Sequence, residues 1–435
     1  MNRGNRRIVF NIILILLLVL CTACSGKTGA PQGTVGQENT STGETTSAAE
    51  TTTATETTTG ETTTIAETTT TIETTTTGET TTAAERTTAN ETTTAVETTG
   101  ASETTTETQG QNASSDKMDD AIAESTGEAV LEGSPYALHG RLSVDGAALV
   151  DEHGEAYQLK GVSTHGIGWF PQYVNKDTFA ELAGWGANAI RIAMYTAEGG
   201  YCEGGDNNKQ KLEELVDTGV AAATELGLYV IIDWHVLNDR DPWVHADEAE
   251  KFFDKMSEKY KDYGNVIYEI CNEPNGGVDW SSVKSYAEKI IPVIRANAPD
   301  AIVIVGTPTW SQDVDKAATD PVSDYDNIMY ALHFYADTHR DYLRDRMKKA
   351  IDAGLPVIVS EFGICDASGS GQNNYDEGNK WIAAMDECGV SYFIWNLSNK
   401  AETSALIGSG NNKLSGFSEE DLSESGRWYK EVLGK

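Results

Sequence analysis

Residues 135–435 predict an eight-stranded (β/α)8 barrel, the TIM-barrel fold. Short apolar runs with strand character alternate with amphipathic, helix-like segments over about 300 residues, the length that such a barrel requires. Polar, titratable and aromatic residues gather just after nearly every run, where a barrel has its mouth. The rival fold, a doubly wound open sheet, normally shows a glycine-rich phosphate-binding turn after its first strand, and "GVSTHGIGWF" does not have that form.

The predicted elements follow one another in a regular order. A hairpin-like opening, "RLSVDGAALVDEHGEAYQLKGVS", carries Asp145-Gly146 and His153-Gly154 turn signals. The candidate barrel strands are "YQLKGVSTHG", "NAIRIAMY", "LYVIIDWH", "NVIYEICNE", "AIVIVG", "IMYALHFY", "PVIVSEFG" and "YFIWNL". Candidate helices include "KDTFAELAGWG", "KQKLEELVDTGVAAATELG", "DEAEKFFDKMSEKYKDYG" and "SSVKSYAEKIIPVIRANAP". Several of them end near glycine, as C-terminal capping favours, at Gly186, Gly227 and Gly264.

Residues 1–24 have the layout of a lipoprotein-like secretory signal peptide. Arginines within the first seven residues precede an apolar run over residues 8–20, which is too short for a comfortable membrane span. Cys24 stands where a bacterial lipoprotein carries its acylated cysteine. Because Cys21 replaces the aliphatic residue usual in such signals, cleavage after Ala23 without a lipid is the alternative. Either way we expect export, as a cell-surface lipoprotein or as a protein secreted free.

Residues 25–130 are predicted to be a disordered Thr/Glu-rich linker. Glutamate recurs every six residues, with one break, from Glu38 to Glu103, and this period fits neither a helix nor a strand. The repeat holds almost no large apolar residue that could build a core, and no aromatic platform of a carbohydrate-binding module. Since evenly spaced like charges resist collapse, the segment predicts an extended tether, with its threonines as candidates for O-glycosylation.

Charge and cysteine usage exclude several classes of partner. The formal net charge is −35, most of it in residues 111–435, so nucleic acid and anionic substrates would be repelled. No CxxC pair and no histidine pair at metal-ligand spacing occurs, so neither a metal nor a cofactor is predicted. Disulfides remain open among Cys202, Cys271, Cys365 and Cys388, with Cys271 expected as a free thiol on a buried strand. We expect a monomer.

Two glutamates stand out among the residues at the strand ends. Glu273 follows the apolar run that ends at Cys271, and Glu361 lies in "PVIVSEFG". Because the fourth and seventh strands of an eight-stranded barrel face each other, these carboxyls would confront each other over the mouth. A protonated and an ionised carboxyl beside a slot lined with aromatic rings suit glycosidic-bond hydrolysis, since sugar rings stack on aromatic faces.

The motifs around these glutamates resemble glycoside hydrolase family five, in particular its bacterial endoglucanase (cellulase) branch. "NEP" and "SEFG" match its two catalytic signatures, and "RIAMY", "IIDWH" and "ALHFYA" match other strand ends in the right order. The resemblance covers residues 135–435, the predicted catalytic domain. It implies a retaining double displacement on a β-glucan, with Glu273 as general acid/base, Glu361 as nucleophile and about 5 Å between the carboxyls.

The same resemblance assigns supporting roles around the nucleophile. Asn272 is expected to hydrogen-bond the sugar 2-OH. Arg191 is expected to hold Glu361 ionised through a charge-assisted contact, and Tyr335 to donate a hydrogen bond to Glu361.

The resemblance also assigns residues to the walls of the cleft. His235 and His333 are expected to line the same subsite, with His333 tuning Glu273. Trp395 would form the floor under the cleaved sugar, with a cis peptide bond after it. The remaining expected sugar contacts are His165 and Trp169 on the non-reducing side, Trp310 on the reducing side, and Lys400 and Glu402 in "NKAETS".

The expected function is that of an endo-β-1,4-glucanase acting on cellulose or related β-glucans. A β-mannanase or a xyloglucanase on the same scaffold is the alternative within enzymes. A surface carbohydrate-binding protein that kept the groove and lost the chemistry is the alternative from another class. Asp233 is interpreted as a structural residue that orients neighbouring loops, and Trp185, Trp243, Trp280 and Trp381 are interpreted as packing residues.

Overall fold

Eight parallel strands form a closed barrel within residues 131–434, the part of the chain that the computed structural model describes. This architecture confirms the predicted (β/α)8 fold. The predicted signal peptide, its Cys24 and the predicted linker lie outside the described residues. Between residues 131 and 434, no helix combines the length and the apolar character needed to cross a membrane.

The elements follow the predicted order. Helix α1 (Pro135–His139) and the antiparallel hairpin β1 (Ser143–Asp145) and β2 (Ala148–Val150) precede the barrel. The barrel strands are β3 (Lys160–Thr164), β4 (Ala189–Tyr195), β5 (Tyr229–His235), β6 (Val266–Glu269), β7 (Val303–Val305), β8 (Ile328–Tyr335), β9 (Val357–Gly363) and β10 (Tyr392–Leu397). The longer helices are α2 (Lys176–Trp185), α3 (Asp206–Glu225), α4 (Ala246–Lys259), α5 (Trp280–Asn297), α6 (Val314–Thr319), α7 (Asp341–Asp352), α8 (Tyr375–Cys388) and α9 (Glu424–Leu433). Short helical turns occupy Pro171–Tyr173, Pro242–His245 and Pro308–Ser311.

Side chains of the barrel strands alternate between the helix layer and the barrel interior. In β4, Ile190 and Ile192 pack in the large core between strands and helices, whereas Ala189 joins the cluster inside the barrel. This period of two sends Arg191, between the two isoleucines, into the interior. A strand that is buried throughout can therefore still carry charged groups to the site.

The hairpin packs against the apolar cluster inside the barrel. Leu149 of β2 and Leu142, just before β1, contact this cluster, which is built from residues of seven barrel strands together with Leu159 and Ile302, which directly precede β3 and β7. The strand residues are Ala189, Tyr229, Ile231, Ile267, Ile304, Met329, Ala331, Ile358 and Phe393. A charged side chain among these apolar residues would have no contact with water. The charged side chains of the barrel interior lie toward the other end of the barrel.

Glycine ends two of the predicted helices but not a third. Gly186 (φ 111) caps α2, and Gly227 (φ 63) follows the last residues of α3, as predicted. Helix α4 instead ends at Lys259 with Tyr260 as its cap, so the prediction of an ending at Gly264 is wrong. Gly264 has another role, because a Cβ there would lie 2.1 Å from the Tyr136 hydroxyl of α1.

The four cysteines of the barrel domain are free thiols in the structure. Cys271 is buried in the core, as expected for a thiol that behaves as a small apolar side chain. The described residues therefore hold no disulfide, and the barrel depends on its packed apolar core for its stability.

Candidate active site

A cavity of about 660 Å³ opens at the C-terminal ends of the barrel strands. Arg191 and Asn272 are buried, and Trp169 is half exposed with its ring centroid 4.5 Å from that of Tyr195, which lines the cavity. The other predicted site residues all line it directly: His165, His235, Glu273, Trp310, His333, Tyr335, Glu361, Trp395, Lys400 and Glu402. The fold thus gathers the predicted site residues at one end of the barrel.

Glu273 and Glu361 lie close together in this cavity. Glu273 follows β6, and Glu361 lies within β9. One carboxylate oxygen of each, together with a ring nitrogen of His333, lie within 4.8 Å of one another. This upper limit is compatible with the 5 Å or so of retaining glycosidases and lies below the roughly 6.5 Å at which a water fits between the carboxyls.

Glu361 accepts hydrogen bonds on both of its oxygens. Tyr335 donates its hydroxyl to Oε1 at 2.8 Å, and Arg191 Nη1 donates to Oε2 at 3.3 Å. Burial raises the pKa of Glu361, the charge of Glu273 adds to this, and His333 and Arg191 oppose it. Because both partners are donors, the local geometry favours the ionised form of this carboxyl.

Arg191 is wholly buried and is held by several acceptors at once. Its Nε donates to Glu269 Oε2 at 2.7 Å, and its Nη2 lies 2.9 Å from Asp233 Oδ2. Although burial opposes the charge, Asp233, Glu269 and Glu361 raise the pKa of Arg191, so it stays a cation. Nη2 also donates to Asn272 Oδ1 at 2.6 Å. This arrangement fixes the direction in which Nη1 meets the nucleophile candidate.

Asp233 connects two side chains of the site. Its Oδ2 contacts His235 Nδ1 at 2.6 Å as well as Arg191. These contacts fit the interpretation of Asp233 as a structural residue, but the groups it orients are Arg191 and His235, because an inward-facing register in β5 carries Asp233 to the barrel interior. His235 in turn stacks on Trp395, with ring centroids 5.3 Å apart and an angle of 15°. The peptide bond between Trp395 and Asn396 is cis, as the resemblance implies.

Glu269 and Ser360 belong to the site, and sequence reasoning missed both. Ser360 Oγ donates to Glu269 Oε1 at 2.6 Å, so its lone pairs are free to accept the Nε2–H of His333 at 2.8 Å. His333 Nδ1 is then an acceptor, and it lies 2.9 Å from Glu273 Oε1. A charged residue inside the apolar run "VIYEIC" was the signal that could have revealed Glu269.

This chain of hydrogen bonds favours a proton on Glu273. Burial raises the pKa of Glu273 to about 7, with Arg191 opposing and the charges of Asp233 and Glu269 adding. Burial also lowers the pKa of His333 to about 4, so its ring stays neutral and accepts at Nδ1. The two carboxyls thus have distinct environments: Glu273 faces an acceptor and Glu361 faces donors.

The far wall of the cavity carries a second polar group. Lys400 Nζ lies 2.7 Å from Glu402 Oε2 and 3.2 Å from His165 Nε2. Burial, with the charge of Lys400 adding, lowers the pKa of His165 to about 3, so His165 is neutral. It accepts from the Gly166 N–H at 2.7 Å. These groups offer hydrogen bonds to a ligand, and together they carry little net charge because Lys400 is paired with Glu402 and His165 is neutral.

The tryptophans interpreted as packing residues differ in exposure. Trp185, Trp280 and Trp381 are buried. Trp243 is half exposed, and its Nε1 donates to the Ser282 carbonyl at 3.0 Å. None of the four lines the cavity.

Glu273, His333 and Glu361 also offer ligand atoms close enough together to hold a metal ion. Both nitrogens of His333 are already engaged, with Glu273 and with Ser360. An ion would have to displace the contact between Glu273 and His333. The spacing of histidines along the sequence does not reveal this cluster, because its members come from three strand ends.

The chain matches the sequence family described as Cellulase (glycosyl hydrolase family 5) over residues 150–401. It is 48% identical over 309 residues to Endoglucanase A of Butyrivibrio fibrisolvens, covering 70% of this chain and 71% of the relative. An endoglucanase of Clostridium saccharobutylicum is 45% identical over 305 residues, covering 70% of this chain and 67% of the relative.

Solved structures agree with this match. Cellulase Cel5C_n superposes with a TM-score of 0.67 at 46% identity, covering 71% of this chain and 96% of that chain. The catalytic domain of Thermobifida fusca endoglucanase Cel5A, in a complex with cellotetraose, gives a TM-score of 0.65 at 38% identity, covering 70% and 100%. The chain therefore belongs to glycosyl hydrolase family 5 and is a glycoside hydrolase built on a (β/α)8 barrel.

Proposed function

We propose that this protein is an endo-β-1,4-glucanase that cleaves internal bonds of cellulose or related β-glucans with retention of configuration. The observation that carries the proposal is the pair Glu273 and Glu361, with carboxylate oxygens within 4.8 Å in an aromatic-lined cavity. The endoglucanase names of the relatives, and the cellotetraose complex of one of them, support a β-glucan as the substrate.

In the first step, Glu361 attacks the anomeric carbon. A bond forms between its carboxylate oxygen and C1, and the bond from C1 to the glycosidic oxygen breaks. Glu273 gives its proton to the departing oxygen, which receives the electron pair of the broken bond. The products are a shortened chain with a free hydroxyl and a glycosyl ester on Glu361.

In the second step, Glu273 acts as a base. It takes a proton from water, whose oxygen attacks C1 from the opposite face and displaces the carboxylate of Glu361. Tyr335 and Arg191, which already donate to the two oxygens of Glu361, stabilise the charge that returns there. The two inversions leave the β configuration unchanged.

The supporting residues are proposed to hold the sugar chain around this centre. Trp395 is proposed to lie under the cleaved sugar, and its ring stacks on that of His235. Asn272 is proposed to contact the 2-OH. Trp310 is proposed to bind the reducing side, and His165, Trp169, Lys400 and Glu402 the non-reducing side. The neutral His165 and the paired Lys400 and Glu402 suit an uncharged polyol.

Polysaccharide preference is the direct test of the proposed function. We expect hydrolysis of carboxymethylcellulose to exceed that of mannan and xyloglucan, with viscosity falling early relative to the release of reducing ends. The Glu361→Gln variant is the control for contaminating activity. A preference for mannan or xyloglucan would favour the alternative enzymes, and binding without hydrolysis of any polymer would favour a carbohydrate-binding protein.

The pH dependence of kcat/KM follows from the two carboxyls. Glu273 must be protonated, and burial raises its pKa to about 7, so activity should fall as the pH rises through that value. Glu361 must be ionised, and burial raises its pKa as well, so the acid limb should lie above 4.5, the ordinary pKa of glutamic acid. We expect a bell-shaped profile on cellotetraose. Full activity at about pH 9 would contradict a protonated Glu273.

We also propose that the enzyme is exported and anchored through a lipid on Cys24, with residues 25–130 as the tether. The arginines, the apolar run and Cys24 support this. In a bacterial host, Cys24→Ala should shift the enzyme out of the membrane fraction and abolish labelling by radioactive palmitate. Wild-type protein that is exported but unlabelled would contradict the anchor and leave free secretion. The expectations of a monomer and of no nucleic-acid partner stay predictions.

A further inference from the structure

The turn after β7 has an unusual backbone. Thr309, Trp310 and Ser311 have φ values of 61°, 54° and 52°, so three successive residues with side chains lie in the left-handed region. L-amino acids disfavour this conformation because Cβ approaches the following carbonyl oxygen. Such backbone persists where its surroundings over-determine it, and it is concentrated at functional sites.

This turn sends neighbouring side chains to opposite environments. Trp310 is 47% exposed and lines the cavity, whereas Ser311 is fully buried. Asp313 braces the turn: it accepts a hydrogen bond from Thr309 Oγ1 at 3.0 Å and one from Arg346 Nη1, on helix α7, at 2.8 Å. Trp310 in the cavity wall and the buried hydroxyl of Ser311 therefore belong to one braced turn.

The buried side of the turn is tied to the backbone around Glu273. Ser311 Oγ donates to the carbonyl of Asn272 at 2.6 Å, and the N–H of Trp310 donates to the carbonyl of Pro274 at 3.1 Å. The carbonyl of Glu273 itself accepts from Asn275 Nδ2 at 2.9 Å. The turn thus holds the backbone carbonyls of the residues directly before and after the acid/base candidate.

Two further contacts show that this approach is built into the fold. Ser311 Oγ also accepts from the N–H of Thr307 at 3.2 Å, so its hydroxyl bridges the start of the turn and the Asn272 carbonyl. A Cβ on Gly306 would lie 2.0 Å from the carbonyl oxygen of Cys271. Only glycine lets the turn come this close to the segment that carries Glu273.

We propose that Ser311 is a positioning residue, which fixes the carboxyl of Glu273 relative to the sugar platform Trp310. This inference rests on the proposed function, in which Glu273 protonates the departing oxygen of a sugar on the reducing side. The hydroxyl of Ser311 does not touch the substrate; it acts through the backbone of Asn272. Its loss lets Glu273 drift from the glycosidic oxygen, and proton transfer is sensitive to such drift.

Leaving-group dependence separates this role from a merely structural one. We expect Ser311→Ala to lower kcat/KM about tenfold for 4-methylphenyl β-cellobioside, whose leaving group needs a proton. For 2,4-dinitrophenyl β-cellobioside, which leaves without a proton, the change should stay within about twofold. A general loss of folded enzyme would lower both values by the same factor.

Controls make each outcome decisive. Ser391→Ala removes another buried hydroxyl, which accepts from the Leu159 N–H at 2.9 Å far from the cavity, and should show no leaving-group dependence. If Ser311→Ala does not fold, Ser311→Gly removes the same hydroxyl and tolerates a φ of 52°. Equal losses on both substrates, or no loss, would overturn the inference. Failure of the proposed function is distinct, since the wild-type enzyme would then cleave neither substrate.

Discussion

Glu361→Gln is expected to lower kcat on cellotetraose by about 10⁴-fold or more while leaving binding of the oligosaccharide largely intact. The amide is nearly isosteric with the carboxylate: its oxygen can still accept from Arg191, and its NH2 can donate to Tyr335, whose hydroxyl can accept as well as donate. It cannot form the glycosyl ester, because a neutral amide is a poor nucleophile. Steady-state kinetics and isothermal titration calorimetry with cellotetraose measure the two quantities separately.

Stereochemistry gives this prediction a second readout. In Glu361→Gly, azide can enter the space that the carboxylate vacates and should yield the α-glycosyl azide from an activated β-cellobioside. Glu155→Gln, at an exposed carboxylate, should behave as the wild type. Undiminished turnover in Glu361→Gln would remove Glu361 from the role of nucleophile.

Glu273→Ala should lower kcat/KM for cellotetraose by about 10²- to 10⁴-fold, the usual contribution of general acid catalysis. The same variant should retain nearly all its kcat/KM for 2,4-dinitrophenyl β-cellobioside, because that leaving group departs without a proton. The alkaline limb of the pH profile, which reflects the raised pKa of Glu273, should also disappear on the activated substrate. Measurements on both substrates across the pH range test this directly.

Azide distinguishes Glu273 from Glu361. In Glu273→Ala, the glycosyl ester on Glu361 still forms, so azide should attack it from the β face and give the β-glycosyl azide. If Glu273→Ala lowers kcat/KM equally on all substrates and gives no azide product, Glu273 has a structural role instead. Opposite stereochemistry from the two variants would assign both carboxyls at once.

Residues close together in the sequence determined the fold class and the two central carboxyls. Alternating strand and helix patterns predict the barrel, and chemistry-bearing residues at strand ends predict where the cleft lies. Glu273 and Glu361 could be identified because each directly follows or ends an apolar run. The ending at Gly186 could be predicted because capping is a local property, whereas Gly264 reflects a contact with Tyr136 from another element.

Only the tertiary structure decided how the charged groups share their partners. Arg191 is bound by Asp233 and Glu269 as well as by Glu361, and these residues come from four different strands. The bond from Ser360 to Glu269 determines which nitrogen of His333 carries the proton, and so which carboxyl faces an acceptor. The left-handed turn over residues 309–311 is likewise held by contacts with the segment that follows the neighbouring strand β6. Such arrangements depend on which side chains meet in space, and a hydrogen bond between residues some ninety positions apart leaves no periodic signal in the chain.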